Sequence, residues 1–375
     1  MKVQAFLNRR LVATGIARTE FRAQLRSGQT IDWPYVSDMR VQTYTPGTDL
    51  TIDLSTATSD TMSINQSRAV TWTLDPNGMA QAEDKTINAL YANQAAFQIA
   101  QDIDQKIIKE GVDYAGNTVT GGTLDPSTIY KKMTDALAAL QRSNADGTKF
   151  AVLDPERVAL LAQSEVANGF NVADNALANG FVGNSQAGFK VYMSNNLPTT
   201  VLYTMDTINT AGKTFTICGV TFTFVANGTA ASAGEISIGL NATANQDNFL
   251  LAINGTGTPG AATYVELSTE NRRKLQNAGV SASAFGTNVS TITGFGKLSA
   301  STNSSDGANA VAAETGYLLL GDVGAISLGM QVMPTMASAP IAARPMETNY
   351  AIHTLFGKKV FYRDVNRLVK MSINV

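Results

Sequence analysis

The feature that most limits the fold of this chain is one long helical stretch, MAQAEDKTINALYANQAAFQIAQDIDQKIIKEG, residues 79–111. It has no proline and no glycine before Gly111, and it is rich in alanine and glutamine, which suit an α-helix. At 1.5 Å per residue it predicts a helix of roughly 48 Å, with Gly111 as its C-terminal stop. A helix of this length exceeds what one small domain needs, so we predict that it is a spine on which other elements pack.

Residues 30–78, before this helix, have the pattern of β-structure. Val70, Trp72 and Leu74 alternate with threonines, and Met62 and Ile64 flank a serine, which is the period of a half-buried strand. Turn signals occur at residues 46–47 and 65–66. An isolated two-stranded hairpin is marginally stable in water. We therefore predict that residues 30–78 form a long two-stranded loop that packs on another surface.

Residues 1–29 carry Lys2 and five arginines against the single acid Glu20. Their hydrophobic periodicity is weak, so we predict a basic arm that is extended unless a partner holds it.

The same dipeptide, Asp-Pro, predicts the start of two helices after the spine. Asp125-Pro126 and Asp154-Pro155 each place a capping acid before a proline at the first helical position. The segment AGFKVYMSN, residues 187–195, predicts a strand that ends by Pro198.

The composition then changes to a long run of Thr, Asn, Gly and Ala, residues 199–312, before the earlier pattern resumes. It has its own hairpin around Cys218-Gly219, and two helices that we expect to be capped by Thr243 and Ser268 and to stop at Gly255 and Gly279. This predicts a separate inserted α/β domain. Three terminal strands are predicted at Tyr350–Leu355, Lys358–Tyr362 and Leu368–Ile373.

The formal net charge is −2 and charged residues make up 15% of the chain, which excludes a disordered chain and a general nucleic-acid binder. Sparse charge suits surfaces that neighbouring subunits cover. Cys218 is the single cysteine and His353 the single histidine, and the sequence has no phosphate-binding loop. We therefore predict no enzyme, no cofactor and no metal. The sequence also lacks an apolar run of signal-peptide or membrane-spanning length, so we expect synthesis in a cytoplasm and no membrane contact.

Read in order, the segments of the chain resemble the major capsid proteins of tailed bacteriophages. The resemblance lies in the spine helix with AFQIAQDIDQKI and in four further stretches: SINQSRAVTWTLDPNGMAQ (63–81), FAVLDPERVALLAQ (150–163), NGFVGNSQAGFKVYMSNNLP (179–198) and LFGKKVFYRDVNRLVKMSINV (355–375). Each stretch alone is weak evidence for the resemblance, but five stretches in the family's order are stronger evidence. They cover most of the chain outside residues 199–312.

This resemblance implies an α+β subunit with the tailed-phage capsid fold. The implied parts are an N-terminal arm (1–29), an extended β-loop (30–78), a peripheral domain with the spine helix (79–149), an axial domain in two parts (150–198 and 313–346), an inserted domain (199–312) and peripheral-domain terminal strands (347–375). Such subunits form hexamers and pentamers that close an icosahedral head around double-stranded DNA. The implied place is the virion capsid, after synthesis in the host bacterial cytoplasm.

Two departures from the family change the expected partners. The chain starts almost at the arm, so any scaffolding protein is expected to be a separate chain, unless this one is already trimmed. No lysine occurs between Lys2 and Lys85, so the extended loop offers no amine for covalent cross-linking. The further expected partners are a portal and packaged DNA held by non-specific contact, with a decoration protein as a further candidate.

Two groups of residues are candidates for these contacts. The arm has apolar side chains, which DNA phosphates do not require, so we favour its docking on a neighbouring subunit. The candidate subunit-contact residues are Phe6, Leu11, Phe21, Arg40, Asp49, Asp53, Asp60 and Arg68. The candidate DNA-facing residues are Lys358, Lys359, Arg363, Arg367 and Lys370. The alternatives are another phage structural protein, such as a tail or decoration component, and a non-enzymatic binding module.

Overall fold

The computed structural model of the chain describes residues 12–19, 29–36, 38–39, 41–49, 57–74, 87–167, 187–205, 211–303, 309–341 and 344–375. The chain divides into two compact units. The first unit consists of Met1–Tyr114 and Asp322–Arg367, and the second of Ala115–Gly321 and Leu368–Val375. This division does not follow the predicted domain boundaries: part of the predicted peripheral domain, residues 115–149, lies in the second unit.

The described helices and strands are numbered in chain order. The helices are α1 Ala13–Ile16, α2 Ile87–Asp113, α3 Ile129–Arg142, α4 Pro155–Ala167, α5 Ala242–Asn254 and α6 Thr269–Asn277. The strands are β1 Ala17–Arg18, β2 Thr30–Val36, β3 Ala57–Ser63, β4 Gln66–Leu74, β5 Asn117–Gly122, β6 Lys149–Leu153, β7 Lys190–Met193, β8 Pro198–Thr204, β9 Thr214–Ile217, β10 Val220–Val225, β11 Glu235–Ser237, β12 Ser281–Gly286, β13 Val289–Phe295, β14 Ser301–Thr302, β15 Ala310–Val311, β16 Thr315–Asp322, β17 Ile326–Ile341, β18 Arg344–Lys359 and β19 Leu368–Asn374.

The first unit is built on a four-stranded sheet in the order β1-β17-β18-β4. Its two long strands, β17 and β18, form an antiparallel hairpin of 16 residues each. Helix α2 packs on β4 and β18 and buries Ile99, Ile103 and Ile107, a stripe at the four-residue spacing of one helix face. Strand β4 alternates between exposed and partly buried residues, as the sequence predicts.

Part of the predicted basic arm is folded onto its own chain. Residues 13–16 form α1, and β1 pairs in parallel with β17. Ala13 and Ile16 are fully buried, and the Ala13 N–H donates to the Asp104 carboxylate at 2.9 Å. Residues 12–19 therefore do not form an extended arm, because tertiary burial overrides their weak local pattern.

The second unit contains a nine-stranded sheet with the path β12-β13-β8-β16-β19-β5, to which β15, β6 and β7 add. Strands β8 and β13 come from residues 198–295, whereas β16 and β19 come from the chain after residue 312. Thr199 pairs with Gly316, so the two ends of the predicted insertion lie side by side, as an inserted segment requires. Its separation as a domain remains a prediction, since this sheet runs through both parts.

Residues 199–312 also have a core of their own. The second sheet of this unit has the order β11-β10-β9-β14, and β9 and β10 form the predicted hairpin. Cys218 and Gly219 at its tip have φ angles of 50° and 72°, the left-handed values of a two-residue hairpin turn. Behind it, the rings of Tyr203 and Phe249 lie 5.0 Å apart. Burial raises the pKa of the Cys218 thiol to about 11, so this side chain packs as an apolar group.

Several predicted helix boundaries differ from those in the structure. Helix α2 continues past Gly111 to Asp113, and residues 79–86 lie outside the described residues. Asp125 does not cap a helix directly, because its carboxylate accepts from the N–H groups of Ser127 and Thr128 and closes a turn before α3. Asp154, in contrast, precedes α4 at Pro155, as predicted.

One of the two N-caps predicted for the later helices is correct. Asn241, and not Thr243, caps α5, since its side chain accepts from the Ala244 N–H at 2.9 Å. Ser268 caps α6 and Gly255 ends α5 in the left-handed conformation, as predicted. Asparagine and threonine both suit the N-cap, so the sequence pattern did not separate them.

One prediction about the terminal strands is wrong. The segment Lys358–Tyr362 is no strand of its own: the two lysines end β18, and a 3₁₀ helix, Tyr362–Arg367, follows. The last predicted strand exists as β19, but it lies in the second unit's sheet between β16 and β5, and not with the other terminal strand, β18. Sequence periodicity predicts a strand, but it does not select the strand's neighbours.

We predict that Gly357→Ala destabilises the first unit. An ideal Cβ at this position would lie 2.6 Å from the Ser63 carbonyl oxygen and 3.1 Å from the Ile64 Cα, so backbone must move. Overpacking of this kind costs about 1–3 kcal/mol. Urea unfolding of the two alanine variants measures it, with Gly260→Ala as the control because a Cβ there meets only an ordinary contact. Equal midpoints for both variants would contradict the prediction.

Candidate subunit-contact surface

Strands β2 and β3 form a two-stranded antiparallel ribbon, called the β-ribbon below. Its pairing runs from Thr30 opposite Ser63 to Val36 opposite Ala57. At its root, Ile31, Met62 and Ile64 are buried in a small cluster with Phe361. A two-stranded ribbon is not stable alone in water, so this cluster fixes one end of it.

The segment 359–363, which follows β18, holds the root by a second means. We call it the clasp. The Lys359 ammonium group donates to the Asp60 carboxylate on β3 and to the Thr61 carbonyl oxygen, the latter at 2.7 Å. The Tyr362 N–H donates to the other Asp60 oxygen at 2.8 Å. Burial tends to raise the pKa of Asp60, but the hydrogen bonds from Lys359 and Tyr362 outweigh it and hold the pKa below its ordinary value.

Aromatic rings extend the clasp along the ribbon. The rings of Trp33 and Phe361 stack with centroids 5.7 Å apart, and those of Tyr35 and Tyr362 do so at the same distance. Successive residues of the clasp therefore contact alternate residues of β2, which lie on one face of a strand. Such aromatic pairs add about 0.5–1.5 kcal/mol each beyond their buried area.

Arg363 ends the clasp. Its guanidinium group donates to the Val36 carbonyl oxygen and to the Asp38 carboxylate, the latter at 3.0 Å, and it lies 5.9 Å from the centre of the Tyr35 ring. Asp38 and Arg363 are mostly exposed, so we expect this ion pair to contribute at most about 1 kcal/mol.

Beyond the clasp, the loop exposes large apolar side chains. Met39, Val41 and Tyr44 are 68%, 96% and 66% exposed. The predicted turn at Pro46-Gly47 is present, with Gly47 at a φ of 87°. These large exposed apolar side chains are close together in the sequence, which makes the loop a candidate for contact with a partner.

The candidate subunit-contact residues lie in different environments. Asp49 is exposed in the loop. Asp60 is held by the clasp, and the Arg68 guanidinium group pairs with Asp102 on α2 at 3.0 Å. The remaining candidates lie outside the described residues: Phe6, Leu11, Phe21, Arg40 and Asp53. Two of the eight candidates, Asp60 and Arg68, therefore form ion pairs within their own subunit.

Four of the five candidate DNA-facing cations also pair within the chain. The pairs are Lys358 with Glu110, Lys359 with Asp60, Arg363 with Asp38, and Arg367 with Asp322 and Asp364. The fifth, Lys370, is partly buried in β19 of the other unit. Each paired cation is matched by a carboxylate, so the segment does not present the excess of positive charge that phosphates attract. Its role at DNA remains a prediction, and the pairs argue against it.

The aromatic residues that carry the clasp were not predicted from the sequence: Trp33, Tyr35, Phe361 and Tyr362. A signal was present, because Trp33 and Tyr35 share one face of a strand and two adjacent aromatic residues follow Lys359. The contact between these two pairs depends on the tertiary fold, because more than 300 residues separate them in the sequence.

Among the described residues, no group of three or more His, Cys, Asp and Glu side chains is placed to hold a metal ion. No described helix is both long and apolar enough to cross a membrane.

No protein-family model matches the sequence, and no curated protein matches it. Solved structures do match the fold. A chain of Mycobacterium phage Che8 superposes with a TM-score of 0.57 at 13% identity, over 96% of this chain and 90% of that chain. A chain from the capsid structure of the cyanophage P-SCSP1u superposes with a TM-score of 0.53 at 12% identity, over 96% of this chain and 86% of that chain.

Both matches extend over nearly the whole of this chain, including residues 199–312 in large part, since only 4% of the chain is left uncovered in each. The identities are low, so the likeness is one of fold. The α+β fold predicted from the sequence segments is confirmed: the chain has the fold of phage capsid subunits.

Proposed function

We propose that this chain is the major capsid protein of a tailed bacteriophage and assembles as hexamers and pentamers into the icosahedral head that encloses double-stranded DNA. The observation that carries the proposal is the β-ribbon, which is fixed at its root and exposes apolar side chains toward its tip. The fold of phage capsid subunits supports the proposal, because it accounts for both units of the chain.

The exposed apolar side chains of the loop are the physical basis of the proposed assembly. Met39, Val41 and Tyr44 are more than half exposed, and burying such side chains contributes roughly 1.5–3 kcal/mol each. A second copy of the chain is the natural cover, because every copy in a shell offers the same loop and the same receiving surface. Contacts of this head-to-tail kind close into rings or extend into larger assemblies.

The further partners remain proposals of the same kind. We propose a portal, a separate scaffolding protein and packaged DNA in non-specific contact, with a decoration protein as a further candidate. The proposed place is the virion capsid, after synthesis in the host bacterial cytoplasm. The role is structural, so we propose no catalytic step.

We predict that the double variant Val41→Asp/Tyr44→Asp folds but does not assemble. Two carboxylates replace apolar groups that contact a neighbour, and a buried unpaired charge is strongly unfavourable. Electron microscopy of the purified chain should show closed shells or capsomers for the wild type and dispersed subunits for the variant. Thr43→Asp, on the same exposed loop, is the matched control and should assemble. Shells from the double variant would contradict the proposed role of the loop.

We predict that the β-ribbon loosens in acid through Asp60. Its pKa is lower in the folded chain than in the unfolded chain, so its stabilising effect is complete above the unfolded value of about 3.9 and is lost as the pH falls through the folded value. After correction for the intrinsic pH dependence of amide exchange, the protection factors of β2 and β3 in the unassembled chain should therefore fall below about pH 4. Asp60→Asn should exchange faster at neutral pH and show less pH dependence, whereas Asp49→Asn should behave as the wild type. An unchanged pH profile in Asp60→Asn would contradict the prediction.

We predict that the shell holds together without covalent cross-links. Residues 3–84 contain no lysine, so the extended loop has no amine to form an amide with a neighbour. Particles boiled in detergent should run as monomers of the sequence mass. A ladder of multimers would show that another lysine forms cross-links.

A further inference from the structure

The second unit exposes two large apolar side chains at one end of its nine-stranded sheet. Leu240 is 86% exposed and Phe285 is 71% exposed. We call these two residues the apolar knob. Phe285 lies in β12, next to the turn that joins β12 to β13, and Leu240 directly precedes Asn241, the cap of α5.

Hydrogen bonds show that both residues of the knob lie at the same end of the sheet. The Gln246 amide, near the start of α5, donates to the carbonyl oxygens of Gly286 and Val289 at the β12–β13 turn. At the other end of α5, the Asn254 amide exchanges two hydrogen bonds with the backbone of Ala282. Helix α5 thus runs antiparallel to β12, and its first turn lies beside the β12–β13 turn.

The opposite end of the same strands borders a cavity of about 210 Å³, called the strand-end pocket below. Leu197 precedes β8, and Gly296 and Lys297 follow β13. The apolar part of its lining is Pro155, Leu197, Tyr317, Leu318, Ile373 and Val375. A cavity of about 150 Å³ accepts a benzene molecule, so this one has room for a phenyl ring.

The separation of knob and pocket prevents one chain from filling its own pocket. Strand β13 runs from Val289, beside the turn, to Phe295, beside the pocket. Six steps at about 3.4 Å place these ends roughly 20 Å apart. The ring of Phe285 therefore reaches a strand-end pocket only on a second copy.

Charged side chains lie at both ends. Asp247 is exposed on α5, next to Gln246, and so lies at the knob end. Lys297 lies at the pocket, and its ammonium group is 3.9 Å from Glu156, whose carboxylate is already engaged by Arg157 at 2.9 Å. Asp154 also lines the pocket and pairs with Arg157 at 2.9 Å, so the charges there balance one another and the fit rests on the apolar lining.

We propose that Phe285 of one copy inserts into the strand-end pocket of the next copy, so that the second units form a head-to-tail ring. The contact uses different surfaces on the two partners, and such heterologous contacts close into rings. This inference rests on the proposed assembly into capsomers and assigns a specific contact within it.

The first test replaces the knob. Phe285→Ser should raise the chain concentration needed for assembly by about tenfold or more, the scale of a buried aromatic anchor at an interface. Tyr130→Ser, at another exposed aromatic residue of this unit, is the matched control and should assemble as the wild type. Both variants are checked for folding by their thermal unfolding. A well-folded Phe285→Ser chain that assembles at the wild-type concentration would overturn the proposal.

The second test identifies the partner surface by disulfide trapping in a Cys218→Ser background. Asn195 is exposed and lines the pocket, so Phe285→Cys/Asn195→Cys should give a ladder of covalent multimers after mild oxidation of assembled chains. Each single variant should stay monomeric, and a mixture of the two should stop at dimers. Dimers from Phe285→Cys alone would show that knob meets knob and would refute the proposal. Intact shells without trapping would refute this contact alone, whereas a wild-type chain that never assembles would refute the proposed function as well.

Discussion

The hold of the clasp on the root of the β-ribbon is the contact on which the order of the ribbon depends. Two strands alone bury too little apolar surface to offset the entropy of ordering them. The ribbon is ordered because Lys359 and Tyr362 fix Asp60 and because Phe361 closes the cluster at its root. The clasp therefore lets the chain extend a loop whose apolar side chains remain available to another copy.

The sequence predicted those elements whose signals are local. The spine helix, the hairpin at Cys218-Gly219 and the start of α4 at Pro155 all follow from residues close together in the chain. The arm shows the limit of such signals: residues 13–18 have weak periodicity, yet α1 and β1 are fixed by burial of Ala13 and Ile16. Propensity is a weak prior, and packing between distant segments overrides it.

The site was harder to predict than the fold, for a physical reason. Charged residues attract attention in a sequence, but Lys358, Lys359, Arg363 and Arg367 each find a carboxylate of their own subunit. Ion pairing of this kind depends on which strands are neighbours, and periodicity does not contain that information. The apolar residues that the structure leaves exposed are more informative, because exposing them costs free energy that a partner recovers.

Both proposed contacts follow from one property of this chain, which is that it leaves large apolar side chains exposed in the loop and at the knob. The loop tip lies beyond the root of the β-ribbon, and the knob lies at the other end of β13 from the pocket. A chain that covered these groups itself would be a stable monomer with no cause to associate. Under the proposed function, association with another copy is the way in which these apolar groups are removed from water.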